Sequence, residues 1–175
     1  MLVPIVWNNL MEKEGTQMEI KRAESCHIPG MLELLKQVGG VHHDIRPDIF
    51  REGAQKYDTQ ALEASLRDPL LPIFVAVEAG FVAGYCFCQW RSFQGNPVMT
   101  DRKELYIDDL CVDENRRGQK IASRLFDYVR AYAKGEGCDF LTLNVWCGNT
   151  GAMRFYENIG MKPRSITMDL ALEEN

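Results

Sequence analysis

Several signatures that would fix a function at once are missing from this sequence. The six cysteines (Cys26, Cys86, Cys88, Cys111, Cys138 and Cys147) form no Cys-x-x-Cys pair, and the three histidines lack zinc-finger spacing, so no metal is expected. Neither a P-loop ending in Gly-Lys-Ser/Thr nor a Gly-x-Gly-x-x-Gly turn occurs, which removes the commonest nucleotide-binding motifs. Positive charge is not in excess: 20 Lys and Arg stand against 25 Asp and Glu, a net charge of −5. That balance argues against a general nucleic-acid partner and fits a cationic or amine ligand better. The opening apolar run, residues 1–7, has no basic n-region. It is too short for a secretory signal or a bilayer span, so no membrane partner is expected.

What is present suits one domain. The chain has 175 residues, 46% of them hydrophobic, enough for a sizeable core. Residues 1–17 read as an N-terminal extension, either a leader from an early start codon or a disordered or packed appendage, and residues 18–175 as the domain. Several cysteines fall inside apolar segments, where a free thiol packs as a small hydrophobe. Reduced, structural cysteines favour the cytoplasm.

Periodicity gives a coarse map. It predicts a strand over 18–23 and a helix over 28–39 stopped by Gly39-Gly40. A loop over 41–50 carries His42 and His43. A short helix over 59–67 follows, capped by Asp58 or Thr59. Strands over 72–78 and 81–91 join at Ala79-Gly80, a hairpin signal. A strand over 103–113, a helix over 118–135, a strand over 139–147, a helix over 149–159 capped by Asn149, and a last strand over 165–172 complete the map.

The most informative stretch runs Leu110-Cys111-Val112-Asp113-Glu114-Asn115-Arg116-Arg117-Gly118-Gln119-Lys120-Ile121-Ala122-Ser123. It reads as a strand, a tight turn and a helix start. Backbone N–H groups at a helix N-terminus are unpaired and favour an anion. Arg116 and Arg117 add positive charge, and Gly118 lets the backbone approach a ligand closely. A phosphate-bearing cofactor is the expectation. The turn resembles the pyrophosphate-binding motif of the GNAT superfamily of N-acetyltransferases, Arg/Gln-x-x-Gly-x-Gly/Ala, as Arg117-Gly118-Gln119-Lys120-Ile121-Ala122. Lys120 stands where that family usually has Gly. A second stretch, from Leu141 to Met161, resembles the other half of the same fold, Asn-x-x-Ala-x-x-Phe-Tyr-x-x-x-Gly-Phe. Asn149, Ala152, Phe155, Tyr156 and Gly160 fall in register, and Met161 replaces the final Phe.

The resemblance implies an α/β (α+β) GNAT fold. Its mixed, mostly antiparallel sheet would have six to seven strands flanked by about four helices, with splayed fourth (103–113) and fifth (139–147) strands. It implies acetyl-CoA as co-substrate. Arg117, Gly118, Gln119, Lys120, Ile121, Ala122 and Ser123 would anchor the pyrophosphate. Main-chain groups of Leu110, Cys111 and Val112 would hold pantetheine and the thioester carbonyl, and Asn149 would contact the cofactor. Tyr156 would protonate the leaving thiolate.

An amine must lose a proton before attack, and Asp108 or Asp109 is the expected base or substrate anchor. Strict strand alternation lets at most one face the cleft and groups Asp108 with Leu110 and Val112; a bulge would reverse this. His42 and His43 are tentative acceptor-site residues, set against the plainer reading of two surface histidines. No cysteine has the base partner that a covalent acetyl-enzyme needs, and Cys111 is expected to be buried.

The expected activity is transfer of an acetyl group to a primary amine of a small molecule, polyamine-like or amino-acid-like, by direct attack in a ternary complex. A protein N-terminal or lysine acetyltransferase and a non-catalytic acyl-CoA-binding module are the alternatives. A homodimer is in keeping with the family.

Overall fold

Ala79 and Gly80 both take positive φ, 51° and 82°, the backbone of a two-residue hairpin turn whose twist matches the strands it joins. The turn links β2 (Ile73–Glu78) to β3 (Phe81–Ser92), and the hairpin is the centre of the sheet. This is a computed structural model, and it describes residues 18–172; the extension 1–17 lies outside the described residues. Around the hairpin the described residues form a five-stranded sheet in the order β1-β2-β3-β4-β5, with β1 at Glu19–Arg22, β4 at Lys103–Val112 and β5 at Phe140–Leu143. All neighbours are antiparallel except β4 and β5, which are parallel.

Alternation along the strands builds two cores. One face carries Cys86, Cys88, Leu105 and Ile107 against Ile121, Leu125, Phe126 and Val129 of α3 (Ile121–Gly135). The other carries Val75, Tyr85 and Phe87 against Met31, Leu34 and Leu35 of α1 (Ile28–Ile45) and Leu62 of α2 (Thr59–Arg67). Asp58 caps α2, accepting from the N–H of Ala61 at 2.8 Å. A fourth helix, α4 (Thr150–Asn158), has no buried residue; its partly buried Phe155 packs against the first core.

Four expectations are corrected. The first helix runs through Gly39-Gly40 to Ile45, so His42 and His43 sit on its last turn and not in a loop. A helical Gly costs about 1 kcal/mol, but Gly39 has a packing reason: a Cβ there would lie 2.5 Å from the carbonyl oxygen of Ala54. The third helix starts at Ile121 and not at 118, because Gly118 (φ 80°) and Lys120 (φ 60°) take left-handed backbone. β5 ends at Leu143, where its only ladder, to β4, stops. The last strand is absent: residues 163–172 are exposed and in no ladder, so the sheet has five strands and not six to seven. The four helices match.

Candidate active site

β4 and β5 share ladder pairs only from Glu104 with Phe140 to Ile107 with Leu143. Beyond that point β4 continues against β3 alone, and residues 144–149 turn away toward α4. The fourth and fifth strands therefore part at Asp108, and the opening lies between the end of β4 and the start of α4.

At the same residue β4 bulges. Phe87 pairs with Asp109 and Cys88 with Ile107, which leaves Asp108 without a cross-strand partner. The extra residue resets the alternation. Leu110 and Val112 pack with Ile107 on the α3 face, whereas both carboxylates lie toward the other face. Asp108 Oδ2 accepts from Lys56 Nζ at 2.6 Å and from the Tyr57 hydroxyl at 2.9 Å. Asp109 Oδ2 accepts from the Tyr85 hydroxyl at 3.0 Å. The expectation that only one carboxylate faces the cleft, with Asp108 beside Leu110 and Val112, is thus corrected by a single inserted residue.

The two carboxylates differ electrostatically. Burial pushes Asp109 up from its ordinary 3.8 to about 6; the Tyr85 hydrogen bond and the Lys56 charge act against the rise, and the Asp108 charge adds to it. A carboxyl titrating there is a better base at neutral pH than an ordinary one. Tyr156 projects from α4 into the same neighbourhood. Its phenol is held well above the usual tyrosine range by burial first, then by Cys86 and Asp109. It therefore stays protonated and can donate. Cys111 lies beside this group, buried, with its Sγ 3.6 Å from the Leu34 carbonyl. Burial, then the Asp109 charge, pushes its thiol up to about 12, and a protonated thiol is a poor nucleophile.

The anion cradle forms at the head of α3. Gly118 and Lys120 turn the chain, and the N–H groups of Gly118, Gln119, Lys120, Ile121, Ala122 and Ser123 find no acceptor among the described residues; the first bond into the helix is Arg124 N–H to Lys120 O at 3.0 Å. A Cβ at Gly118 would meet nothing within 4 Å, so the space over the turn is open. Arg116 pairs with Glu78, while Arg117 has no ion-pair partner among the described residues and is exposed. These groups fit a pyrophosphate: donors, positive charge and room. Asn149 caps α4, accepting from Ala152 N–H at 3.0 Å.

His42 stacks on Phe50 with centroids 4.9 Å apart, and burial, then Lys56, lowers its pKa. His43 donates through Nδ1 to the Phe50 carbonyl at 2.8 Å and secures the loop after α1. Lys56 and Tyr57 escape a reading of the sequence, which offers Tyr85 as a residue that could face the acceptor cleft but gives no position to fix it there; the bulge turns the carboxylates toward all three. A cleft of about 80 Å³ lies beside them, walled by Tyr57, Leu62, Ile73, Phe87, Gln89 and Asp108.

Among the described residues no group of three or more His, Cys, Asp or Glu could hold a metal ion, and no helix is long and apolar enough to cross a membrane.

A parting sheet, a bulge with two carboxylates and an amide cradle define an acyltransferase-like α/β class. The model of the acetyltransferase (GNAT) family matches residues 41–161, and the chain belongs to that family. Its structure is similar to that of a mutant of the BH1408 protein from Bacillus halodurans, with a TM-score of 0.85 and 30% identity over 89% of this chain and 100% of that one. An aminoglycoside N-acetyltransferase, AAC(6')-Iy, solved in complex with CoA, shares the fold at a TM-score of 0.65 and 17% identity, over 89% of this chain and 99% of that one. In sequence, 87 residues are 32% identical to an uncharacterized N-acetyltransferase, MJ1207, of Methanocaldococcus jannaschii; the match takes in 50% of this chain but only 35% of that protein.

Proposed function

We propose that the protein is an acetyl-CoA-dependent N-acetyltransferase acting on a primary amine of a small molecule. The observation that carries this reading is the Asp108–Asp109 pair, held on one face of the bulge where β4 and β5 part. Bound acetyl-CoA supplies the acetyl group as a thioester. The N–H groups of Gly118, Gln119, Lys120, Ile121, Ala122 and Ser123, with Arg117, hold its pyrophosphate, and Asn149 contacts it at the head of α4. Main-chain groups of Leu110, Cys111 and Val112 orient the reacting end and donate to its carbonyl oxygen. Asp108 receives the acceptor's ammonium. Asp109 takes the proton from the amine, directly or through a water. Tyr156 gives a proton to the departing sulfur. Attack is direct, because burial and the Asp109 charge hold the Cys111 thiol protonated, and a protonated thiol is a poor nucleophile.

A small acceptor is favoured by the loop 51–58, which ties Lys56 and Tyr57 to Asp108 and covers the acceptor side. A peptide would need an open groove there. Residues 18–175 act as one acetyltransferase domain with 1–17 as an extension. The six cysteines are free, with the Cys86 and Cys88 thiols sharing a hydrogen bond at 3.7 Å and no disulfide; such thiols suit the reducing cytoplasm.

The test is calorimetry with acetyl-CoA, ATP and NAD, followed by thiol-release assays over polyamines, amino acids, aminoglycosides and short peptides. Acetyl-CoA binding with turnover of a small amine is expected. Turnover of peptides alone would move the assignment to a protein acetyltransferase, and binding without turnover to an acyl-CoA-binding module.

A further inference from the structure

A primary amine already stands at the carboxylate pair, and it belongs to the chain itself. Lys56 Nζ lies 2.6 Å from Asp108 Oδ2, and its charge also reaches Asp109, whose pKa it lowers. The ammonium is therefore close to both carboxylates at the point where β4 and β5 part. Among the described residues no other lysine makes an ion pair or hydrogen bond with either one; Lys21, Lys36 and Lys103 are engaged elsewhere. Anchors on both sides of Lys56 fix its place. Gln55 Nε2 donates to the Leu32 carbonyl of α1 at 2.9 Å. The Tyr57 hydroxyl donates to the same Asp108 oxygen at 2.9 Å, and Asp58 caps α2. The Lys56 side chain nevertheless remains 46% exposed, and its four-carbon stem is flexible. The amine is tethered at the site without being sealed into it.

We propose that Lys56 is itself an acceptor: in the absence of an external amine, its Nζ takes the acetyl group of bound acetyl-CoA and the chain becomes acetylated at that residue. This rests on the acetyl-transfer reading above and adds a modification site to it. The step balances. Asp109 removes one proton from the ammonium, and the freed nitrogen lone pair bonds to the thioester carbonyl carbon. The carbon–sulfur bond breaks, its electron pair leaves with the sulfur, and Tyr156 protonates that sulfur. A second proton from the nitrogen restores the phenol, leaving an amide and a free thiol. Tethering makes the transfer intramolecular, so Lys56 competes through a high local concentration. Acetylation then removes the lysine charge and its ion pair. Asp108 is left free of its resident cation, and an external ammonium meets an open carboxylate.

The test is peptide mass spectrometry of the full chain, as isolated and after incubation with acetyl-CoA and no amine. Thiol release with small amines is measured on the same sample. Acetylation confined to Lys56 is expected, first order and independent of protein concentration. It should be about 100-fold slower in Asp109→Asn, and Lys56→Arg should take up no acetyl group. A readout without acetyl-CoA is the titration of the Asp109 carboxyl by carbon-13 NMR. It should move to higher pH in Lys56→Gln, which lacks the charge that lowers it. Unmodified Lys56, label spread over several lysines, an equal rate in Asp109→Asn, a rate that rises with protein concentration, or an unmoved Asp109 titration would each overturn the proposal. The peptide readings on the unaltered chain do not depend on any variant folding. Unmodified Lys56 beside turnover of a small amine would sink this proposal and leave the acetyl-transfer reading standing; loss of both would sink the two together.

Discussion

The Tyr85 hydroxyl donates to Asp109 Oδ2 at 3.0 Å, from a ring buried between α1 and the sheet. Among the described residues it is the one side-chain hydrogen bond that the Asp109 carboxylate accepts, and it favours the ionised form. The carboxyl is therefore raised to about 6, less than burial alone would raise it. If Asp109 is the base, kcat/KM rises with pH through about 6 as the carboxyl loses its proton. Tyr85→Phe removes an influence that lowers this pKa, so the rising limb should move to higher pH. Asp109→Asn should cost about 100-fold or more in kcat. A profile flat across this range in the unaltered enzyme would remove Asp109 from the role.

The same residue has a stability consequence. The Asp109 pKa is raised on folding from 3.8 to about 6, so its favourable contribution is complete below about pH 4 and is lost as pH rises through 6. The full difference is about 3 kcal/mol; partial exposure to the cleft reduces it to roughly 1–2 kcal/mol. Asp109→Asn should therefore be more stable than the unaltered protein at neutral pH, by that amount, and no more stable near pH 4. Urea unfolding at the two pH values measures it.

Tyr156→Phe should lower kcat about 100-fold with little change in acetyl-CoA affinity. Cys111→Ala should leave turnover largely intact, because its thiol is protonated. Loss of activity in Cys111→Ala, together with trapped acetyl-cysteine in the unaltered enzyme, would mean a covalent route instead.

Lys120 holds φ 60° and ψ 18° at the N-terminal cap of α3, a conformation that costs a side-chain-bearing residue about 1 kcal/mol. Lys120→Gly should stabilise the protein by about that much and retain acetyl-CoA binding in calorimetry. Gly118→Val, at φ 80° and over the open cradle, should destabilise and weaken binding together.

Adjacent glycines in α1 should respond with opposite signs. Gly40 has nothing within 4 Å of an added Cβ, so Gly40→Ala should stabilise by about 0.5–1 kcal/mol. Gly39→Ala would meet the Ala54 carbonyl and push on the loop that carries Lys56 and Tyr57. Its thermal midpoint should fall and its acceptor KM change.

Much of this was legible from residue order. Ala79-Gly80 announces its hairpin, the Asp58-Thr59 pair the cap of α2, which is Asp58, and the two motifs the amide cradle and the Tyr156 helix. What failed did so for local reasons. The Gly39-Gly40 stop was overridden because a tertiary neighbour needs the space of Gly39. The bulge at Asp108 leaves no mark in a period-two pattern, since one inserted residue looks like any other. Hence the companions of the carboxylates, Lys56, Tyr57 and Tyr85, come from sequence positions that nothing local connects to Asp108 and Asp109. The strand expected over 165–172 from its alternation does not form, because whether a strand forms depends on a neighbour that sequence periodicity does not supply.

If Asp108 receives the acceptor's ammonium, its ion pair with Lys56 makes capture an exchange. An incoming ammonium must displace one already tethered a few ångströms away, and it gains only the difference between two similar charge contacts. Charge then becomes an admission requirement that hardly ranks one amine against another. Ranking falls to the part of the acceptor that has no tethered rival, the portion that would lie along Leu62, Ile73 and Phe87. Two amines of equal charge would be told apart by how well their hydrocarbon fills that wall.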